Sequence, residues 1–211
     1  MLRRLGGLHR YATTEVLARE TITAGLRGVS STIVAEGSPA DWPATVADTG
    51  IVLFDPPRLF FDRERALWTP SPEQLPDVAR WMRRSGVTTL LVALPHEQGR
   101  LPDALKRGLA SLDEQAVAAL GFDRLIIIRT PNKPGPARAG GPFHAIAHWM
   151  LSILKYMVPS SEQPVRAVKV ADFAAAALEF APPGVHIAAP ETVWRAAQGD
   201  PRAAVRQWLG V

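Results

Sequence analysis

The sequence predicts an α/β fold, a three-layer arrangement with a parallel sheet of five or six strands and helices on both faces. Short apolar runs alternate along the chain with longer segments of helical period, which is typical of repeated β-α-β units. The run LIII at 125–128 is apolar at every position, as expected of a strand that is covered on both faces. We expect all 211 residues, 1–211, to form a single domain.

The individual elements follow from this alternation and from capping residues. Ser71 with Pro72 can begin one of the helices, and Gly121 can end another. A first strand would have to lie at 1–5, where two arginines conflict with burial in a sheet. The predicted strands are 29–35, 51–54, 88–94, 125–129 and 185–188. The predicted helices are 15–24, 41–47, 73–84, 102–120, 143–158, 171–180 and 201–209.

Three loops rich in Pro and Gly follow predicted strands, at 55–58, 94–100 and 129–142. In an open parallel sheet the ligand crevice lies outside the carboxyl ends of the strands. We therefore expect these loops to share one rim and to surround any ligand site.

Composition excludes several functional classes. The chain has no cysteine, which rules out disulfides, a thiolate nucleophile and iron–sulfur clusters, and it suits a cytoplasmic protein. Its net charge is only +4, from 24 basic and 20 acidic residues that are scattered, so nucleic-acid binding is not expected. No apolar stretch reaches the roughly 18 residues that a membrane span needs.

Metal and hydrolase chemistry also find little support in the residues. His144 and His148 share a helix face at i, i+4 spacing, but the intervening residues supply no third ligand, so no metal is expected. The chain has no Gly-x-Ser-x-Gly turn that would expose a serine nucleophile.

Four stretches together resemble a known family: GVTTLLVAL from Gly86, LDEQAVAALGFDRLIIIRTP from Leu112, VRAVKVADFAAAALE from Val165 and GVHIAAPETVWRAA from Gly184. In their order and residues they resemble the atypical short-chain dehydrogenase/reductases, within them the small branch of Tat-interacting-protein-like oxidoreductases. The resemblance extends over about 5–197. It implies a Rossmann-like fold and NAD or NADP as the cofactor.

The family's catalytic residues are a Ser at a strand end and a Tyr-x-x-x-Lys pair on the next helix. The resemblance puts Ala93 in the place of the Ser, Lys106 in that of the Tyr and Ala110 in that of the Lys. The chain has only two tyrosines, Tyr11 and Tyr156, and neither is followed by a lysine four residues later. Proton transfer by such a Tyr requires a nearby cation that lowers its pKa. We therefore predict no catalytic residue.

The family's glycine-rich turn is matched only in part by LGGLHRYA. Gly6 takes the first glycine position, His9 the second and Ala12 the third, and a side chain at the second position should obstruct a pyrophosphate. Alternatively, His9 and Arg10 can meet phosphate as cations. The cofactor-binding residues implied by the resemblance are Gly6, Gly7, His9, Arg10, Ala12, Glu36, Asp55, Pro56, Ala93 and Pro131.

Glu36 follows the second predicted strand, where an acidic residue would accept a hydrogen bond from the adenine ribose. That contact favours NAD over NADP because a carboxylate repels a 2′-phosphate. The alternative is an exposed turn residue beside Gly37.

Two functions remain open. The first is a non-catalytic or weakly active dinucleotide-binding-type protein that acts through protein contact. The second is an NAD(P)-dependent oxidoreductase that reduces a small carbonyl or quinone with a non-standard acid or base. The segment 143–158 is apolar around nearly its whole circumference, and we expect it to pack against its own copy or another protein. Alternatively, 129–142 and 201–209 cover it within a monomer.

Overall fold

The computed structural model describes residues 11–20, 28–34, 37–54, 66–96, 111–131 and 165–211. Short 3-10 helices lie at Pro39–Asp41 and Pro72–Gln74. The strands are β1 Thr14–Ala18, β2 Val29–Ile33, β3 Thr49–Leu53, β4 Thr89–His96, β5 Arg124–Pro131 and β6 Gly184–Ala188. The α-helices are α1 Leu75–Arg84, α2 Leu112–Ala118, α3 Ala167–Phe180, α4 Pro190–Gln198 and α5 Pro201–Leu209. None of these helices is long and apolar enough to cross a bilayer.

The main sheet has the order β3-β4-β5-β6, and every neighbouring pair is parallel. Leu53, Ala93, Ile128 and Ala188 stand at one level across it. The carboxyl ends of all four strands therefore meet at the same edge, as predicted for the strands that precede the three loops. Residues 55–58, 97–100 and 132–142 of those loops lie outside the described residues.

Helices cover both faces of the main sheet, as the sequence predicts. Successive residues of a strand point to opposite faces, and β5 shows this alternation clearly. Leu125 and Ile127 pack in the core with α1 and α2. Ile126 and Ile128 pack in a second core with α3, α4 and α5. The α/β fold with a parallel sheet between helical layers is thus confirmed.

The described strands form two sheets rather than one sheet of five or six strands. β1 and β2 pair in parallel as a separate sheet. The other edge of β1 is occupied by 66–68, since Arg19 N donates to Ala66 O at 2.7 Å and Trp68 N donates to Leu17 O at 2.9 Å. Both strands carry polar residues at exposed positions, which is incompatible with a strand buried inside the main sheet.

The prediction of a helix at 15–24 is wrong, because Thr14–Ala18 is strand β1. Its backbone is hydrogen-bonded to β2 and to 66–68 rather than within a helix. The Glu15 carboxylate accepts hydrogen bonds from the hydroxyls of Thr32 and Thr45, the latter at 2.8 Å. These non-local partners outweigh the helical pattern of the sequence.

Two more helix predictions need correction. At 41–47 only the 3-10 turn Pro39–Asp41 forms, because Trp42 precedes a proline and is extended, with φ −69° and ψ 143°. Of the helix predicted at 102–120, residues 102–110 lie outside the described residues, and α2 begins only after Ser111, whose backbone is extended and whose side chain caps the helix. The helix α4 was not predicted, although Pro190 at its first position marks its start.

The remaining elements agree with the sequence. The five predicted strands correspond to β2 to β6, with small shifts of their ends. The helices at 73–84, 171–180 and 201–209 correspond to the 3-10 turn with α1, to α3 and to α5. The first strand at 1–5 and the helix at 143–158 lie outside the described residues.

Candidate functional site

The carboxyl edge of the main sheet is the predicted ligand site, and β4 supplies its central residue. Ala93 lies between Leu53 of β3 and Ile128 of β5 in the strand register. It is 8% exposed. The side chain of Ala93 is a methyl group, which neither donates nor accepts a proton, at the position where the resemblance implies a serine.

The end of β5 carries a buried charge. Arg129 Nη2 lies 2.7 Å from Glu114 Oε2, and the two side chains are only 2% and 7% exposed. The alternation of β5 points Arg129 to the same face as Ile127, towards the first turn of α2. The pair fixes this helix against the rim. Sequence reasoning missed it, although an arginine ending an apolar run and an acid in a first helical turn were its signals.

Thr130 is a further polar residue at the same edge. Its hydroxyl donates to the carbonyl of Leu94 at 3.2 Å, which joins the ends of β5 and β4. α4 begins two residues after β6, and Glu191 lies in its first turn. A carboxylate there complements the positive end of the helix dipole, which makes that helix end less receptive to an anion.

The residues assigned to cofactor binding are only partly described. Ala93 and Pro131 belong to β4 and β5, and their strands bring them to the carboxyl edge. Ala12 is exposed and is followed by a strand, so the helix expected after the glycine-rich turn is not there. Outside the described residues lie Gly6, Gly7, His9, Arg10, Glu36, Asp55 and Pro56, as do Lys106 and Ala110. The assignment as a whole remains a prediction.

Tyr11 lies at the opposite end of the main sheet. It lines a cavity of about 310 Å³ together with Thr49, Thr89 and Arg124, which begin β3, β4 and β5. From Arg124 to Arg129 the strand rises by roughly 16 Å, at about 3.3 Å per residue. Tyr11 is therefore remote from the carboxyl edge, where a reductase would need it. Tyr156 lies outside the described residues.

Metal-binding chemistry has no visible basis in the parts of the chain described above. They contain no cluster of three or more His, Asp or Glu side chains that could hold an ion. His186 has structural contacts instead. Its Nε2 lies 2.8 Å from the carbonyl oxygen of Pro182, and its ring packs edge-on against Trp208. His144 and His148 lie in the segment that the structure does not describe.

The similarity of this chain to known proteins is found among solved structures. No protein-family model matches the chain, and no curated protein matches it. Among solved structures it is similar to the Bordetella bronchiseptica enzyme WbmG, crystallised in complex with NAD, with 14% sequence identity and a TM-score of 0.41. The match covers 98% of this chain and 83% of that one.

Proposed function

We propose that this chain is a dinucleotide-binding-type protein with little or no oxidoreductase activity, acting through contact with another protein or its own copy. The nucleotide, NAD or NADP, would bind at the carboxyl edge of β3 to β6. The main support for weak or absent oxidoreductase activity is the position of Tyr11, which lines a cavity at the amino edge of the sheet.

Hydride transfer to a carbonyl requires a positioned proton donor. Ala93 has none, and the hydroxyl of Thr130 already donates to a backbone carbonyl. Arg129 is paired with Glu114, and a guanidinium does not release its proton in proteins. None of these three residues is therefore suited to general acid catalysis.

Support for nucleotide binding comes from the architecture. In open parallel sheets, ligands bind outside the carboxyl ends of the strands. Four adjacent parallel strands end together at this edge, and helices flank both faces. The resemblance described from the sequence names the same cofactor class.

Two matched threonine variants test the location of the site. Thr130 and Thr88 are both half-buried, and each hydroxyl donates to a backbone carbonyl, at 3.2 and 3.4 Å, but they lie at opposite edges of the sheet. Titration calorimetry with NAD, NADH, NADP and NADPH should show binding to the wild type. Thr130→Trp should abolish it by filling the crevice, and Thr88→Trp should preserve it.

Absence of binding by all four nucleotides would contradict the proposal, and so would equal loss in both variants. The melting temperature of each variant, measured by circular dichroism, should equal that of the wild type. A difference in binding then reports on the site and not on loss of folded protein.

Activity is tested with NAD(P)H and a panel of aldehydes, ketones and quinones. We expect no robust oxidation, and none from Ala93→Ser, since a hydroxyl alone lacks the Tyr and Lys that complete the set. Robust turnover by the wild type that Thr130→Trp abolishes would overturn the non-catalytic reading. It would establish the oxidoreductase alternative with a non-standard acid or base.

Protein contact is proposed through 143–158, from the apolar pattern of its sequence. Light scattering at micromolar concentration should show an oligomer or, with a partner present, a complex. Trp149→Glu should dissociate it. Leu112→Glu is the control, because Leu112 is an apolar residue that is 81% exposed and lies outside the segment. A monomer that Trp149→Glu merely unfolds, with no complex formed, would instead indicate burial within one chain.

A further inference from the structure

The amino edge of the main sheet contains a polar cavity that the proposed function does not use. Its volume is about 310 Å³, at the lower end of the range for small-molecule sites. Four residues with hydroxyl groups, two charged residues and one apolar residue line it. They are Tyr11, Thr49, Thr88 and Thr89, then Asp48 and Arg124, and finally Leu178.

Arg124 supplies the positive charge of the cavity. It is half-buried, and its Nε donates to Thr89 Oγ1 at 3.0 Å. Nη1 donates to the carbonyl of Ala181 at 3.5 Å, a long hydrogen bond to the residue that follows α3. Thr89 is only 2% exposed, so the guanidinium is held against a fixed point. Of its five N–H groups, these contacts use two.

No carboxylate among the described residues lies within ion-pair distance of Arg124, whereas the buried Arg129 has one at 2.7 Å. A guanidinium with an oriented edge and spare donors matches the two oxygens of a carboxylate.

Asp48 supplies the negative charge of the cavity lining. Its backbone carbonyl accepts hydrogen bonds from Thr88 N at 3.0 Å and Thr89 N at 3.1 Å, which fixes the residue beside β4. Its side chain is exposed. Thr49, the next residue, and Arg124 are separated by two strand spacings, roughly 9.5 Å. Asp48 and Arg124 thus contribute opposite charges to the lining of one cavity, at the starts of strands that are two spacings apart.

We propose that this cavity binds a small zwitterion of the amino-acid type, with its carboxylate on Arg124 and its ammonium group on Asp48. The hydroxyls of Thr49 and Thr88 line the space between the charges. A dianion such as phosphate is disfavoured because Asp48 repels it. The site is separate from the proposed nucleotide crevice, which lies at the other edge of the sheet.

The test is an amide NMR titration of the full chain. The zwitterion probes are glycine and β-alanine. Acetate and ethylammonium are the controls that carry only one of the two charges, and inorganic phosphate is the competing anion. One zwitterion should bind at least about tenfold more tightly than acetate or ethylammonium, with shifts at Thr88, Thr89 and Arg124. No shift at millimolar probe concentrations, or tighter binding of phosphate, would overturn the proposal.

Variants identify the two charged partners. Arg124→Gln should weaken binding of the zwitterion and of acetate by about tenfold or more. Asp48→Asn should weaken the zwitterion and strengthen acetate, while its backbone contacts remain. Arg83→Gln is the control, since Arg83 also donates to a backbone carbonyl, that of Val87 at 3.3 Å, but does not line the cavity.

An equal effect of Arg83→Gln and Arg124→Gln would contradict the assignment. Thr130→Trp should leave zwitterion binding unchanged, so failure of this site and failure of the nucleotide site are distinguishable.

Discussion

Removal of Arg129 tests how the rim of the sheet is held. Arg129→Met takes away the cation but preserves most of the side-chain volume, and it leaves the buried Glu114 carboxylate without this partner. Breaking a buried ion pair from one side costs about 3–5 kcal/mol, because the remaining charge stays desolvated. In a chain of 211 residues, each kcal/mol of lost stability lowers the melting temperature by about 2–4 °C. The melting temperature of Arg129→Met should therefore be lower by roughly 6–20 °C.

The assay is urea unfolding followed by tryptophan fluorescence, with the thermal midpoint as a second measure. The double variant Arg129→Met with Glu114→Leu should regain most of the lost stability, because it replaces both charges by apolar groups. Arg80→Met is the control, since Arg80 and Asp77 form an exposed pair, with side chains 56% and 37% exposed, whose loss should cost under about 1 kcal/mol. Equal costs for Arg129→Met and Arg80→Met would refute this account.

Three other predictions concern local structure. Gly50→Ala should lower the free energy of unfolding by about 1–3 kcal/mol, because the added methyl group would lie 2.7 Å from a buried methionine sulfur. Gly199→Ala is the control: its methyl group meets nothing within 4 Å, and it should change the free energy of unfolding by under about 0.5 kcal/mol. Ser111→Ala should cost about 1 kcal/mol in urea unfolding by removing the cap of α2, and no measurable loss would contradict that cap. The hydroxyl of Ser71 and a backbone N–H hold the pKa of Glu73 below its ordinary value of 4.5, so its small stabilising effect is present above that value and is lost as the pH falls through the lower pKa. NMR titration should show this depressed pKa and its rise in Ser71→Ala, and an unchanged pKa would exclude the hydroxyl as the cause.

The position of the main strands was predictable because it depends on local composition. The run at 125–128 is apolar at each residue, and only a strand covered on both faces needs that. Its neighbours carry similar runs, bounded by Pro and Gly. The shared rim followed from the parallel arrangement alone, and the lack of a Tyr-x-x-x-Lys pair could be read from the residues without a structure.

Other features depended on partners distant in sequence. The residues of β1 suit a helix or a strand, and hydrogen bonds to β2 and 66–68 decided between the two. The same holds for Arg129 and Glu114, whose charges lie on separate elements that only the packing of α2 on the sheet brings to 2.7 Å. The sequence by itself determined which segments form the buried strands of the main sheet and that no Tyr-x-x-x-Lys pair is present, because both depend on residue type. Only the tertiary structure decided that Tyr11 lies at the amino edge of the main sheet with Arg124. That placement depends on backbone hydrogen bonds between segments that are far apart in sequence.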